Sequence, residues 1–548
     1  MIKNFFLKYR PTLSSISLSI IVALYSVIMF NQTLWGRIFS YFNQEYSTMI
    51  ALFLGVSCLF IAFFVAISVK YLTKPLFILL IMVGSVSSYF TDQFGTIIDK
   101  DMIANVFATT SAEADNLLTL QMVVHLFVTG LLPSLLILWV KIKHQTIVRK
   151  TVYNLAVILP CLLISFLCIF STSRNMISTL RAHQDVAKII NPVIPIKSVV
   201  QYALNNTFNK ELPFQQIGLD AKIVNVWNKP KHPRVTIVVA GETARAENFS
   251  LQGYDKLTNP ELEKRDVIYF SNTSSCGTAT AYSLPCMFSS LTKAQFTKEK
   301  AKARENLLDV LQHAGVKVEW WDNNTGSQSV SDRIKTVTFY NGQDPQFCIN
   351  GECQDGIMLE PLKKWLDNVQ QDSVLVIHQL GSHGPAYFKR YPEEFRRFKP
   401  DCRGLEFSQC TIEEVRNAYD NTIVYTDYFL SALIDQLKER SDKIDGALFY
   451  MSDHGESLGE NGLYLHGMPY MLAPNQQTHI PFILWMSQNF ASSMAVSTSC
   501  LKENVASSLL SQDNLFPSIL TMMNIETQIK DNQLDIFSTC KTDRLAVE

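Results

Sequence analysis

Five long apolar runs crowd into the first third of the chain: residues 13–30, 50–69, 76–90, 120–140 and 152–170. Most approach the roughly 20 residues that a helix needs to span the hydrocarbon core of a bilayer, and the third extends toward Phe94. His125 is the only Asp, Glu, Lys, Arg or His inside them. Buried helices of a water-soluble core would account for one such run. Five in succession leave no polar face for water, so they predict five transmembrane helices. A cleaved signal peptide is the rival for residues 13–30, but the run is too long for an h-region and no small-x-small cleavage site follows it, so it reads as an anchor.

The basic residues orient these helices. Lys3, Lys8 and Arg10 precede the first run, Lys70 and Lys74 lie between the second and third, and Lys141, Lys143, Arg149 and Lys150 lie between the fourth and fifth. All three clusters fall on one side, the cytoplasm. Segments 31–49 and 92–119, on the other side, carry few basic residues. Five crossings put everything after residue 170 outside, which for a bacterial inner-membrane protein is the periplasm. The cysteines agree. Cys58, Cys161 and Cys168 lie in the apolar runs, and the other eight (Cys276, Cys286, Cys348, Cys353, Cys402, Cys410, Cys500, Cys540) all follow them. An even number suits an oxidising compartment, and nearest-neighbour pairing is the simplest of about 105 connectivities. Zinc knuckles are disfavoured, because no paired C-x₂-C spacing occurs.

With 48 basic and 49 acidic residues in 548, the chain has no electrostatic footprint of nucleic-acid binding. The segment 174–213 reads as an interfacial amphipathic helix followed by a bridging linker, broken at Asn191-Pro192 and Ile194-Pro195. An ordinary surface helix fits its first part equally well. From about Arg234 short apolar runs alternate with helical patterns. Residues 235–240, 267–270, 316–320, 374–380, 447–451 and 481–485 read as central strands, and 298–313, 357–369 and 412–440 as helices, with Gly315 a helix stop. The pattern predicts an α/β domain with a mostly parallel sheet, whose ligands bind beyond the carboxyl ends of its strands. The predicted domains are residues 1–172, transmembrane; 173–213, bridging; and 214–548, catalytic.

The chemistry collects at those strand ends. One strand runs into Gly241-Glu242-Thr243-Ala244-Arg245 and another into Ser452-Asp453-His454-Gly455-Glu456. Glu242, Asp453 and His454 offer oxygen and imidazole ligands that suit Zn²⁺. The hydroxyl-rich stretch from Ser274 to Cys286 follows a further strand and precedes a helical segment, a setting that favours an anion at the helix start. Thr280 is the chosen nucleophile there and could complete a tetrahedral ligand set; spacing alone leaves Thr278 open. His383, in Gly381-Ser382-His383-Gly384-Pro385, and His466, in Leu465-His466-Gly467-Met468-Pro469, are candidates to protonate a leaving group, hold a phosphate oxygen or bind a second metal. His378, on an apolar strand, reads as a core or supporting histidine. Asn105, Thr109 and Glu113 recur at four-residue spacing in the outer loop before the fourth apolar run, and on one helix they would share a face. Glu113 could receive an ammonium group. A solvated polar face on a short interfacial helix is the alternative.

Taken together, the stretch from Gly241 to Asn248, the stretch from Ser275 to Cys286, Gly381–Pro385 and the stretch from Ser452 to Gly462 resemble the lipid A phosphoethanolamine transferases of the alkaline phosphatase/sulfatase superfamily, over nearly the whole chain. The resemblance implies a five-helix membrane domain joined to a sulfatase-like α/β periplasmic domain. It implies Zn²⁺ held by Glu242, Thr280, Asp453 and His454, with Thr280 carrying the phosphoethanolamine and His383 and His466 near the phosphate or a second zinc. Phosphatidylethanolamine is the implied donor and a lipid A phosphate the acceptor, with Asn105, Thr109 and Glu113 as substrate-binding positions. A membrane-embedded monomer that lowers susceptibility to polymyxin is the expected outcome. Some members carry an extra cysteine pair where this chain has residues 323–328, or a lysine near Gln328, so the resemblance assigns no role to Thr325 or Gln328.

The nearest rivals share parts of this pattern. A formylglycine sulfatase needs C/S-x-P/A-x-R, and neither Cys276 nor Cys286 begins one. A membrane-anchored phosphatase, or a transferase acting on a core sugar or another periplasmic glycan, would use the same motifs.

Overall fold

A computed structural model describes residues 10–42, 45–109, 111–143, 145–183, 185–208, 212–224, 231–340, 342–349, 351–505 and 508–541. Lys3 and Lys8 lie outside the described residues. The chain divides into two compact units, Met1–Val106 with Leu118–Asn209, and Phe107–Leu117 with Lys210–Glu548.

The first unit is helical. Among the described residues Tyr46–Ala66, Thr73–Phe94, Leu120–Trp139 and Ile147–Thr172 are long and apolar enough to cross a bilayer, and Ser15–Met29 with Gln32–Tyr41 make a fifth span if the bent pair counts as one. The solvent they are built for shows in their packing. Ser15, Ser19, Ser26, Ser57, Ser85 and Ser88 are buried between helices, while Ile21, Phe53, Leu59, Leu79, Leu135 and Phe166 point outward. Small and hydroxyl side chains let the helices approach and bond across, as between Ser85 and Thr129 (2.7 Å) or Ser19 and the Phe64 carbonyl (3.2 Å). Arg10, Lys74 and Lys150 converge at one end of the bundle: Arg10 Nε and Lys74 Nζ donate to the Trp139 and Leu138 carbonyls at 2.8 and 2.9 Å, and Lys150 donates to the Ser68 carbonyl.

The first apolar run ends as a helix at Met29, and the helix that follows it, Gln32–Tyr41, turns by 61°. Asn31 is the cause: its side chain is buried and exchanges hydrogen bonds with the Asn191 backbone (2.9 Å each way), drawing the chain out of the helix. The segment after residue 170 is not a separate interfacial helix, because Ile147–Ala182 is one helix of 36 residues. Beyond it, Val193–Phe208 is helical where a linker was expected, since Pro195 falls in the first turn, where a missing N–H costs nothing. Finally, Asn105, Thr109 and Glu113 do not share one helix. Lys100–Ala108 ends before Thr109, and Ser111–Leu117 begins a new helix carrying Glu113. The run Thr109-Thr110-Ser111 is rich in hydroxyls that favour helix starts over helix interiors.

The second unit is built on an eight-stranded sheet. Numbered in chain order, its strands are β1 (Arg234–Gly241), β2 (Ile268–Ser274), β3 (Lys317–Asp322), β4 (Lys335–Thr338), β5 (Ser373–His378), β6 (Asp445–Ser452), β7 (His479–Met486) and β8 (Leu510–Ser511), in the order β8-β2-β7-β6-β1-β5-β3-β4. Pairing is parallel except on both sides of β7. The central strands are buried on both faces, which explains why they read as continuous apolar runs. The six expected strands are present; the edge strands β4 and β8 are short and polar and gave no such signal. Ile412–Lys438 is a helix opened by a Thr411/Glu414 capping box. The stretch 298–313 is two helices, Lys298–Lys302 and Leu307–His313, rather than one. Asn306 and Asp309 form a capping box that starts the second afresh.

All eight later cysteines are paired with their nearest neighbours: Cys276–Cys286, Cys348–Cys353, Cys402–Cys410 and Cys500–Cys540, leaving Cys58, Cys161 and Cys168 as thiols. Alkylation of denatured, unreduced protein is therefore expected to label those three cysteines and no others, read by peptide mass spectrometry. Labelling of the eight would overturn the oxidised state.

Candidate active site

The register of the sheet sets the floor of the site. Ala240 of β1 lies level with His378 of β5 and Met451 of β6, and His378 lies level with Asp322 of β3. The residues that follow therefore emerge side by side at the carboxyl edge: Glu242 after β1, Asp453 and His454 after β6, Asn324 after β3. The long helix Ile412–Lys438 fixes the loops above. Tyr419 donates its hydroxyl to the Thr243 carbonyl (2.6 Å), and Thr422 bonds Ser382 (2.7 Å). Gly381 takes a left-handed backbone (φ +53°), and a Cβ there would meet the Glu242 carbonyl at 2.7 Å, so only glycine lets this loop lie against the end of β1.

Glu242, Asp453 and His454 are fully buried, with one ligand atom of each within 4.8 Å of the others. His454 Nδ1 donates to the Gly455 carbonyl at 2.9 Å, which leaves the Nε2 lone pair facing the two carboxylates, 3.6 Å from Glu242 Oε1 and 3.3 Å from Asp453 Oδ2. Burial, then the charge of His466, pushes the His454 ring toward its neutral form. Burial, with Asp453 beside it, pushes the Glu242 carboxyl well above the usual range. Asp453 Oδ1 accepts the Thr243 and His454 N–H groups, while buried Oδ2 accepts no hydrogen bond from the described residues. Two buried carboxylates, one orphaned oxygen and a neutral imidazole make a donor set suited to a divalent cation.

Thr280 is the hydroxyl in this cluster. Its Oγ1 lies 3.0 and 3.3 Å from the Glu242 oxygens and 3.3 Å from His454 Nε2. It is the first residue of the helix Thr280–Met287. Thr278 instead donates to the Met468 carbonyl at 2.6 Å. The loop before Thr280 is pinned by the Cys276–Cys286 disulfide and by buried Gln512, whose Oε1 accepts the Cys276 N–H (2.7 Å) while its Nε2 donates to the Asp453 carbonyl (2.7 Å).

His383 and His466 stand together, ring centroids 5.5 Å apart, with His466 4.4 Å from His454. His466 Nδ1 bonds Glu456 Oε2 at 2.8 Å, and Tyr387 donates to the other oxygen at 2.7 Å. Burial disfavours the His466 cation, but the Glu456 carboxylate outweighs it and the pKa is raised. His383, pushed down by burial and by His466, is held neutral; its Nε2 lies 3.2 Å from Glu113 Oε1. Glu113 and Thr109 belong to the same unit as the sheet, whereas Asn105 belongs to the helical unit.

Several contacts here lie outside the motifs read from the sequence. Asn324 Nδ2 donates to Glu242 Oε2 and to the Gln379 carbonyl, both at 2.8 Å. Behind it His378 Nδ1 meets Asp322 Oδ2 at 3.1 Å, and its Nε2 stands 4.0 Å from Glu242. Burial would raise Asp322, but His378 and the Trp320 indole hold it down to about 2. Asn323-Asn324 directly follows a buried strand, a position that could have been flagged; Gln512 has no local signal at all.

A hydroxyl heading a short helix, aimed into an acid and imidazole cluster at the carboxyl edge of a mostly parallel sheet, defines a sulfatase-fold group-transfer enzyme. Comparison with known proteins agrees. The family model described as Sulfatase matches residues 234–525, and that described as Phosphoethanolamine transferase EptA/EptB matches residues 56–207. Phosphoethanolamine transferase EptA of Escherichia coli K12 is 39% identical over 97% of this chain and 98% of its own. Phosphatidylethanolamine transferase Mcr-1 of Escherichia coli is 36% identical over 95% and 97%. The solved integral membrane lipooligosaccharide phosphoethanolamine transferase A of Neisseria meningitidis superposes with a TM-score of 0.92 at 32% identity, covering 97% and 99%. The chain belongs to the EptA family of phosphoethanolamine transferases, a multi-pass membrane protein with a sulfatase-fold unit.

Proposed function

We propose that this chain transfers phosphoethanolamine from phosphatidylethanolamine to a phosphate of lipid A, acting as a monomer in the bacterial inner membrane with its sulfatase-fold unit in the periplasm. Residues 1–172 supply the transmembrane domain, 173–213 the bridge and 214–548 the catalytic domain. The observation that carries this reading is the placement of Thr280 Oγ1 within 3.0–3.3 Å of Glu242 and His454, in a chain matching phosphoethanolamine transferases over nearly its whole length.

Thr280 is the nucleophile. Its hydroxyl proton leaves toward Glu242 Oε2, and Oγ1 attacks the phosphorus of the donor in line with the departing diacylglycerol oxygen. That P–O bond breaks, and His466, whose cation the Glu456 carboxylate favours, delivers a proton to the leaving oxygen while neutral His383 holds a phosphate oxygen. An oxygen of the acceptor phosphate then attacks the phosphorus held on Thr280, the P–Oγ1 bond breaks, and Thr280 recovers its proton. Glu113 receives the ammonium of the headgroup beside His383, and Asn105 and Thr109 contribute to substrate binding. Glu242, Asp453, His454 and Thr280 would hold Zn²⁺, which when bound lowers the pKa of the threonine hydroxyl and offsets the negative charge of the phosphoryl group. A second ion would fall to His383 and His466.

Mass spectrometry of lipid A and core oligosaccharide from cells expressing the chain tests the acceptor. The expected result is a phosphoethanolamine increment on a lipid A phosphate, accompanied by lowered polymyxin susceptibility. An increment confined to the core sugars would move the acceptor there; release of free phosphoethanolamine alone would make the protein a phosphodiesterase that hydrolyses its donor.

A further inference from the structure

Glu352 belongs to none of the motifs above. It sits on a small antiparallel hairpin, Cys348–Ile349 paired with Glu352–Cys353, closed by the Cys348–Cys353 disulfide. Its carboxylate is buried (7% exposed) and anchors two arms. On one, both oxygens accept from Asn116 Nδ2 at 3.1 Å. Asn116 lies one helical turn beyond Glu113 on Ser111–Leu117, and its Oδ1 accepts Lys389 Nζ at 2.6 Å. On the other, Oε1 accepts Arg390 Nη2 at 3.1 Å, and buried Arg390 donates Nε to the His383 carbonyl at 2.8 Å. The arms meet where Glu113 Oε1 approaches His383 Nε2 at 3.2 Å. Glu352, Asn116, Glu113, His383 and Arg390 therefore form a closed circuit.

We propose that Glu352 is a positioning residue that sets Glu113 and His383 against each other for the donor headgroup; this rests on the reading of those two residues as headgroup contacts. Removing the carboxylate frees the helix that carries Glu113. It also leaves Arg390 a buried cation without its counterion, beside the place where an ammonium must bind, so both attachments of the headgroup site fail together. Sequence reasoning misses such a residue, because Glu352 is 236 positions from Asn116.

The test uses full-length enzyme in detergent micelles with a fluorescent phosphatidylethanolamine donor. Glu352→Ala and Asn116→Ala are each expected to lower kcat/KM by about 10- to 100-fold. Glu352→Gln recovers only part of the rate, because its carbonyl can take both contacts made by Oε1 but leaves Arg390 without its counterion. In the Glu113→Ala background Glu352→Ala costs less than it does in wild type, since one of the two residues it positions is gone. Should Glu352→Ala fail to fold, judged by its melting temperature, Asn116→Ala takes its place in the cycle. Effects that multiply with Glu113→Ala, or a wild-type rate in Glu352→Ala beside an impaired Glu113→Ala, would overturn the positioning role alone. A wild-type rate in Glu113→Ala would remove the headgroup reading and the positioning role with it.

Discussion

Thr280→Ala is expected to lower phosphoethanolamine transfer by roughly 10³-fold or more while leaving the fold intact. The helix it heads is not held by its hydroxyl: the residue before the helix is Ala279, with no side-chain cap, and the loop is fixed by the Cys276–Cys286 disulfide and Gln512. Alanine at the first helical position costs little, whereas the lost oxygen is the hydroxyl that bonds both Glu242 and His454. Incubated with phosphatidylethanolamine alone, wild type should trap phosphoethanolamine on the peptide containing Thr280, and the variant should not. Thr278→Ala should still trap it, since that hydroxyl is committed to the Met468 carbonyl. A donor chiral at phosphorus should give product of retained configuration, because two in-line displacements restore it. Inversion, or a wild-type rate from Thr280→Ala, would exclude the covalent route.

The second large effect concerns the buried carboxylates. Asp453→Asn is expected to abolish transfer and metal binding together, and chelation should do the same to wild type, reversed by Zn²⁺. The sign of the stability change depends on the metal. In the loaded protein a bound cation stabilises the fold by mass action, so wild type should melt higher than the variant. In the metal-free protein Glu242 and Asp453 repel each other in a dry cluster. Asparagine keeps the acceptor that takes the Thr243 and His454 N–H groups and places an amide where the orphaned Oδ2 stood. Metal-free Asp453→Asn should therefore be the more stable of the two by roughly 1 kcal/mol. Metal analysis and melting curves in zinc and in chelator measure both halves; a metal-free wild type that melts well above metal-free Asp453→Asn would contradict the donor set described here.

What could be read in advance divides by distance along the chain. Buried parallel strands announce themselves because both faces demand apolar residues, and Glu242, Asp453 and His454 stood out because each follows such a strand within two residues. The pairing of neighbouring cysteines and the Thr411/Glu414 cap are equally local. The break at Asn306 was written in its capping box but masked by the helical residues on either side. The bend at Asn31 depends on Asn191, and the buried scaffold of Gln512, Asn324 and Glu352 on partners scores or hundreds of positions away. No window of sequence contains both members of such a pair. The four-residue spacing of Asn105, Thr109 and Glu113 was real but did not make a helix face, because the helix carrying Asn105 ends at Ala108 and Glu113 lies on the next one.

The level strand ends at the carboxyl edge of the sheet also limit how this enzyme can change. Adjacent strands hold Ala240, His378, Met451 and Asp322 in register, and one residue along a strand is about 3.3 Å and a reversal of face. A one-residue insertion or deletion within β1, β3, β5 or β6 would carry a site residue out of reach while leaving the sheet able to form. Lineages of this enzyme can diversify the site by substitution in place, and can lengthen or shorten the loops that lead away from the edge. Gaps inside those four strands are closed to them, so an alignment of active members should show four blocks of fixed length separated by segments of variable length.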